Sequence, residues 1–377
     1  MFSFRRQDND LTELKNMPEI PAVYVVSTSH LSGKTALCLG LAVSFQSLGR
    51  KVGYFKPIGA RTEESEEDDD AVLMKQVLGL NEPLETICPV RLSRDFLEEY
   101  SRIGMTKIRE EIFSSYREAC EAKDFMLVEG PGNPGVGSFA KVPPSALALE
   151  LQLPVVLVSK VDGDADIDRV LYQKLCIGES GANLLGVVLT QVKKQIIERV
   201  KTFFEPLLNN AGTDVLGILP EVSALTAPTV RDIYERMGGE FLANMDRLEN
   251  MIEDVYVGSM TLESGLRYFR RSANKAVILG GDRTDLAVAA LDTGASLLVL
   301  TGGIYPDVHV LNKAEMTGTP ILLVPHDTFT AVREFEKVSG HIEPQNKKKI
   351  EIAEKLVEEN VRWKEILDLA TRYRSRR

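Results

Sequence analysis

What this 377-residue sequence has little of narrows its class first. Its four cysteines, Cys38, Cys88, Cys120 and Cys176, are widely scattered, with no C-x-x-C pair and no neighbouring histidines. That argues against a zinc site or a disulfide framework and predicts buried free thiols in a reducing compartment. No run approaches the roughly 18 apolar residues of a membrane span, and the opening MFSFRRQDNDLTELKN lacks the apolar core of a signal peptide, so a cytoplasmic protein without a membrane partner is expected. An excess of positive charge is missing as well. The 45 Lys and Arg against 55 Asp and Glu leave a formal charge of -10, with basic clusters only in NKKK and RYRSRR near the C-terminus. Such a surface repels a polyanion, and nucleic acid is not an expected partner.

What is present suits a compact chain of two domains: 44% of the residues are hydrophobic and 27% charged. From about residue 21 come the β-rich runs AVYVV, KVGYF, FMLVEG, PVVLVSK, LLGVVLT and VLGILP, each followed by a helical pattern. Strands alternating with helices predict an α/β layer domain over 21–225, with a mostly parallel sheet covered on both faces. After APTVRDI a second series runs through Ile252 to Met260, KAVILGGDRTD, ASLLVLTGG and PILLVPHDT, predicting a smaller α/β domain over 226–340. Residues 1–20 read as a leader, and the apolar spacing within 341–377 predicts a terminal helix or pair of helices.

Residues 27–35, STSHLSGKT, lie between the strand-like AVYVV and the helical ALCLGLAVSFQSLG. They match the phosphate-binding pattern G-x-x-x-x-G-K-[ST] except that Thr28 replaces the first glycine; Gly33, Lys34 and Thr35 are intact. A strand, a polar turn and a helix beginning at Lys34 aim the backbone N–H groups of Ser29, His30, Leu31, Ser32, Gly33, Lys34, Thr35 and Ala36 at one phosphate. Lys34 then neutralises β and γ oxygens, and the Thr35 hydroxyl ligates Mg²⁺. Ser27, Thr28 and Ser29 are small and can form local turns through their hydroxyls where glycine is missing.

Phosphoryl chemistry there needs carboxylates and a further cation. Glu129 ends FMLVE before the small-residue segment GPGNPGVG and is expected on the same sheet edge as the loop, where it can serve a metal. Lys56 ends KVGYFKP in the same manner and is expected to meet an anionic substrate or a γ-phosphate. The run EESEEDDD, residues 63–70, reads mostly as a solvated loop. Asp70 differs by leading into AVLMKQVLGL, where it is expected to cap the helix, to point toward a metal, or both.

In chain order STSHLSGKT, GYFKP, the pair Asp70-Ala71, LVEGPGNPG, LGVVLTQV and VLGILPE resemble the dethiobiotin synthetase branch of P-loop proteins. More closely, STSHLSGKT, KVGYFKPIG, DDAVLMKQVLGL, LVEGPG and APTV resemble the synthetase-like N-terminal domain of long bacterial phosphotransacetylases. The second domain resembles the DRTGG domain through Gly281, Asp282, Arg283 and Thr284 and through Thr301, Gly302 and Gly303. The resemblance implies a P-loop parallel-sheet domain followed by a DRTGG domain. It implies ATP on the loop, with GTP not excluded, Mg²⁺ among Thr35, Asp70 and Glu129, and Lys34 and Lys56 as the catalytic lysines. In the synthetases the equivalent of Lys56 helps hold the carbamate being activated, and Thr190 stands where they carry an Asn before the turn that contacts the base. The chain ends without the catalytic region of the long phosphotransacetylases, so acetyl transfer is not expected.

Two functional classes follow. One is a P-loop enzyme that hydrolyses a nucleotide or activates a small carboxylate or carbamate through a phosphorylated intermediate. The other is a regulatory sensor in which nucleotide binding is coupled to a small anionic metabolite on the second domain. Arg283 and Thr301 read either as the binders of that metabolite or as a structural turn pair. A homo-oligomer is expected.

Overall fold

The computed structural model describes residues 17–61, 65–93, 95–336, 338 and 342–376. The expected leader therefore lies almost entirely outside the described residues, as do Glu63 and Glu64 of the acidic run. The chain forms two compact units, one of residues 1–221 with 343–377 and one of residues 222–342. The second is thus an insertion in the first.

The first unit is built on a six-stranded sheet of β1 (Ala22–Ser27), β2 (Val52–Phe55), β5 (Phe125–Glu129), β6 (Val155–Lys160), β7 (Leu184–Val192) and β8 (Val215–Pro220). Their order is β2-β5-β1-β6-β7-β8, and every pairing is parallel. β1 is buried at all six positions, because a central strand covered on both faces has no solvent side to alternate toward. Helix α1 (Lys34–Ser47) leaves the end of β1, and α2 (Asp69–Leu78) follows β2. Helix α3 (Ala165–Glu179) joins β6 to β7, and a segment ending in α4 (Glu205–Asn210) joins β7 to β8. A separate parallel ladder of β3 (Ile58–Ala60) and β4 (Val90–Leu92) stands beside β2; the sequence patterns had not separated it.

The second unit has a five-stranded sheet of β9 (Glu240–Ala243), β10 (Asp254–Val257), β11 (Lys275–Gly280), β12 (Leu297–Thr301) and β13 (Ile321–Leu323), in the order β10-β11-β12-β13-β9. Four strands are parallel, and the short β9 closes one edge antiparallel to β13. An apolar core lies on each face, and α5 (Thr284–Asp292) starts at the end of β11.

Helices α6 (Lys347–Asn360) and α7 (Trp363–Ser375) pack on the first unit. α6 crosses α1 so closely that a Cβ added at Gly40 would stand 2.9 Å from the Ala353 carbonyl oxygen and would run into Val357. Phe45 of α1 lies between Phe125 of the sheet and Trp363 of α7, with ring centroids at 4.9 and 6.4 Å. The Arg362 backbone N–H donates to the Leu216 carbonyl at 2.8 Å, fastening the turn between α6 and α7 to β8. Cys38, Cys88 and Cys120 are buried, Cys176 is half-buried, and all four are free.

Gly40→Ala tests this crossing. Alanine favours a helix interior over glycine by about 1 kcal/mol, but overpacking against Ala353 and Val357 costs about 1–3 kcal/mol. The expected result is a lower denaturant midpoint, read from the fluorescence of the only tryptophan, Trp363, with partial recovery when Val357→Ala is added. A Gly40→Ala protein at least as stable as the parent would mean that the helices do not meet this tightly.

Candidate functional site

The C-terminal ends of β1, β2, β5 and β7 converge on one edge of the first sheet and carry the loop, Lys56, Glu129 and Thr190. In the loop the left-handed conformations fall at Leu31 (φ 50°) and Gly33 (φ 77°); Thr28 is not among the residues of positive φ. The glycine that the usual pattern places at Thr28 is therefore not required by this backbone. Thr28 instead continues the sheet, its N–H donating to Val158 O at 3.0 Å while its hydroxyl meets Ser159 Oγ at 3.0 Å. Two residues at the end of β7 brace the loop: the Thr190 hydroxyl donates to Ser32 O, and Gln191 Nε2 donates to Leu31 O, each at 2.6 Å. Thr190 was expected at the nucleotide; its side chain here positions the loop. Gln191 was missed, since its sequence carries no sign that the strand end turns back onto the loop.

α1 starts at Lys34 with no side-chain cap and no acidic residue in its first turn, so its first N–H groups are free to meet an anion. The Ser32 hydroxyl is buried with no hydrogen-bond partner. Lys34 is only 8% exposed, and among the described residues no ion pair is made by it. Burial, with some help from Lys56, holds its pKa below the ordinary lysine value. His30 is exposed, its ring over Gly132 and its Nε2 accepting from Asn133 Nδ2 at 3.0 Å.

Lys56 sits in the opposite situation. Its ammonium is bound by Asp68 at 2.8 Å and by Asp70. Burial opposes its charged form, but the carboxylates of Asp70, Asp68 and Glu129 outweigh it and raise the pKa well above the usual value. The expected cap at Asp70 is corrected: the N-cap of α2 is Asp68, whose Oδ1 accepts from the Ala71 N–H at 3.1 Å and whose Oδ2 accepts from the Ala60 N–H at 2.8 Å. Asp70 lies in the first turn, free of the capping task, and reaches the loop. Asp68, buried at 4% exposure, had been read as part of a solvated acidic run; its signal was the position three residues before Ala71, where a capping aspartate belongs.

Thr35 Oγ1 lies 2.9 Å from both Asp70 Oδ1 and Glu129 Oε1. A hydroxyl has one proton to donate, so the second contact needs a proton on a carboxyl. Glu129 supplies it. Fully buried, and beside Asp70, its carboxyl is pushed up to about 7, while the lysine partner Lys56 overcomes burial to hold Asp70 below the usual range. The Tyr54 hydroxyl donates to Glu129 Oε2 at 3.0 Å and fixes the carboxyl plane. The three expected metal ligands are thus brought together. They amount to a hydroxyl and two carboxylates; among the described residues no cluster of three or more His, Cys, Asp or Glu is suited to hold a metal by itself.

In the second unit, Arg283 and Thr301 stand at adjacent strand ends, Thr301 pairing in register with Gly280. Arg283 Nη2 donates to Met260 O at 3.0 Å, and the buried Thr301 hydroxyl lies 2.8 Å from Thr328 Oγ1 and 3.3 Å from Leu279 O. Both side chains have protein partners. His326 contributes its backbone carbonyl to the Gly302 N–H at 2.7 Å.

A family model described as an AAA domain matches residues 21–229, and one described as a DRTGG domain matches residues 232–338. A phosphate acetyltransferase of Nitratidesulfovibrio vulgaris is 27% identical over 355 residues, which are 90% of this chain and 50% of that protein. The ATP-dependent dethiobiotin synthetase BioD of Bacillus cereus is 28% identical over 202 residues, 52% of this chain and 82% of that one. The chain spans about half the length of the acetyltransferases it matches. Among solved structures, the MinD cell division protein of Aquifex aeolicus aligns with a TM-score of 0.35 at 17% identity, over 54% of this chain and 84% of that chain. Both resemblances drawn from the sequence are borne out at the level of the two domains. No helix among the described residues is long and apolar enough to cross a membrane.

The Glu129 carboxyl gives stability a pH dependence. Its value is about 7 in the fold against 4.5 in a free side chain, so between these two the unfolded chain has lost a proton that the folded chain keeps. Its contribution is complete below 4.5 and is lost as pH rises through about 7. Without metal or nucleotide, the denaturant midpoint of the parent should fall across that window relative to Glu129→Gln. Parallel pH profiles would show that the carboxyl is ionised throughout.

Proposed function

We propose, since the chain belongs to the AAA domain family across residues 21–229 and carries a DRTGG domain across 232–338, that its first unit binds a magnesium nucleotide on the loop at 27–35 and hydrolyses it. The observation that carries this reading is Lys34: an ammonium group taken out of water that makes no ion pair among the described residues, at the uncapped start of a fourteen-residue helix. Burying such a charge costs several kcal/mol unless it is paired. A β- or γ-phosphate supplies the pair, and the helix N–H groups and the unpartnered Ser32 hydroxyl supply further donors. ATP before GTP is supported by the relative described as ATP-dependent.

Mg²⁺ would be held by Thr35, Asp70 and Glu129, a set of hard oxygen ligands that fits an ion accustomed to one or two carboxylates with waters and phosphate oxygens completing its shell. Bound there, it supplies charge neutralisation for a transferring phosphoryl group. Lys56, anchored by Asp68, keeps its ammonium beside Asp70 at the mouth of the site, where it can meet a γ-phosphate. Activation of a carboxylate or carbamate is the narrower version of the same chemistry. It is less well supported, because both carboxylates beside Lys56 already neutralise the cation that would receive such a substrate.

One observation favours a second reading, the regulatory sensor. The chain leaves the first unit after β8, builds the DRTGG unit, and returns as α6, which packs on the helix that begins with Lys34 and Thr35. A metabolite on the inserted unit then has a covalent route toward α1, and a coupling of about 1–3 kcal/mol between the two ligands would be ordinary.

Lys34→Ala and Thr35→Ala are expected to weaken Mg-ATP binding about 10- to 100-fold in calorimetry, as befits one lost contact to a charged group. Trp363 fluorescence should be unchanged, since neither side chain supports the apolar core. Parent-like affinity in both variants would remove the nucleotide from this loop. Asp70→Asn is expected to cut the Mg²⁺ dependence of binding while leaving metal-free association nearly intact; retention of full dependence would place the metal elsewhere.

A further inference from the structure

The turn that shapes the phosphate loop is held from outside the loop. Positive φ falls at Leu31 and Gly33, while His30, Ser32 and Lys34 are not among the residues of positive φ. Such alternation turns successive N–H groups to one side and makes a concave anion nest. The Ser32 hydroxyl, buried and without a partner, belongs to the same turn. Glycine enters the left-handed region at no steric cost, but leucine does not, because its Cβ crowds the following carbonyl oxygen. Packing of its side chain does not hold it there either, since Leu31 is 72% exposed. The nest therefore contains one residue whose backbone relaxes unless something restrains it.

The restraint comes from an irregularity in β7. Leu189 pairs with Ile218 and Val192 with Pro220, so three steps along β7 meet two along β8, and the extra residue makes a bulge. Gln191, inside it, is left-handed as well, with φ 52°. Bulges re-aim side chains, and this one turns Gln191 back onto the loop, where its Nε2 donates to Leu31 O at 2.6 Å. Its neighbour Thr190 donates to Ser32 O, and from the segment after β5 Asn133 Nδ2 donates to His30 Nε2 at 3.0 Å. Residues 30, 31 and 32 are thus each tied to a residue outside the loop, and the Gln191 tie falls on the strained one. Non-glycine residues in this region persist only where their surroundings over-determine them.

We propose that Gln191 is a positioning residue: its amide keeps Leu31 left-handed and so holds the nest in shape for a polyphosphate before any ligand arrives. It acts through the Leu31 carbonyl and serves the phosphate chain of the ligand rather than its base. A loop shaped in advance spends less of its binding energy on ordering itself. The inference rests on the reading of this loop as a nucleotide site and adds the residue that keeps it ready.

The test uses the full chain and Gln191→Met, which keeps the length of the side chain and removes the donor. In calorimetry the change should weaken Mg-ATP and magnesium pyrophosphate by the same factor, about fivefold, the worth of one hydrogen bond to a backbone carbonyl. A loss confined to the nucleotide would mean that Gln191 meets the base, and would overturn the proposal. Made in a Leu31→Asn background, the same change should cost less than in the parent, because asparagine tolerates the left-handed region. An equal cost in both backgrounds would show that no strain is being held. A further readout needs no ligand. Chymotrypsin should cut the ligand-free protein between Leu31 and Ser32 about fivefold faster in Gln191→Met, as mass spectrometry of the fragments shows, since cleavage follows the population of the opened loop. Equal cutting rates would overturn the role of Gln191 and leave the nucleotide reading standing. A parent that binds neither Mg-ATP nor pyrophosphate would remove the nucleotide reading and, with it, the polyphosphate as occupant.

Discussion

The ion pair between Lys56 and Asp68 organises the edge of the first sheet. Two lysines, Lys34 and Lys56, are buried within reach of the same carboxylates, and a buried charge is tolerated only with a partner. Lys56 has its partner built in, and that partner is held by more than electrostatics. One carboxylate, Asp68, caps α2, accepts from the Ala60 N–H beside β4, and receives the lysine. Space for it depends on Gly59, where a Cβ would stand 2.5 Å from both Asp68 Oδ2 and Cys88 Sγ. Because Asp68 takes over the cap, Asp70 is left to reach both Lys56 and Thr35. Lys34 is treated differently: it is buried to a similar degree and makes no ion pair among the described residues. Lys34, Lys56, Asp68 and Asp70 carry two formal charges of each sign, and burial together with Asp70 holds Glu129 toward its neutral form, so the set is close to neutral.

That neutrality ties the chemistry to the fold. β1 and β5 are adjacent parallel strands, so Ser27 and Glu129 end on one side of the sheet, and the helix following β1 brings Thr35 under the Glu129 carboxyl. Parallel strands bring this convergence about without any strain at Thr28. The loop gains its shape from left-handed residues at Leu31 and Gly33 and from the braces of Thr190 and Gln191, a different route to the geometry that an early glycine usually permits.

Most of the sheet strands were legible in the sequence, because continuous runs of β-branched and aliphatic residues bounded by polar turns leave little alternative. β9 was not, since EFLA is short and partly exposed, and it pairs antiparallel with a strand far along the chain. Lys34, Thr35, Asp70 and Glu129 were legible as a set through order and strand-end placement. The division of labour between Asp68 and Asp70 was not. Three consecutive aspartates look alike in sequence, and only the start of α2 decides which one caps and which one faces the loop. Thr190 was expected at the nucleotide, and its hydroxyl braces the Ser32 carbonyl of the loop; a hydroxyl that braces backbone and one that contacts a ligand have the same sequence signature.

The C-terminal helices show where pattern reading meets its physical limit. α1 buries Leu37, Cys38, Leu39, Leu41, Ala42 and Phe45 completely, positions that go all the way round the helix. A helix apolar on every side needs cover beyond the sheet it leans on. ALCLGLAVSF therefore announced that something must lie on its outer face, and the apolar spacing of the last helices announced a surface in need of a partner. Neither pattern says that the two belong together, because an inserted unit separates them in the chain. A boundary at 225 would cut through this core, removing Val357 from Gly40 and Trp363 from Phe45. The phosphate-loop unit is complete only when the chain has passed through the DRTGG unit and come back, and this makes the second unit part of the covalent framework on which the first unit's central helix rests.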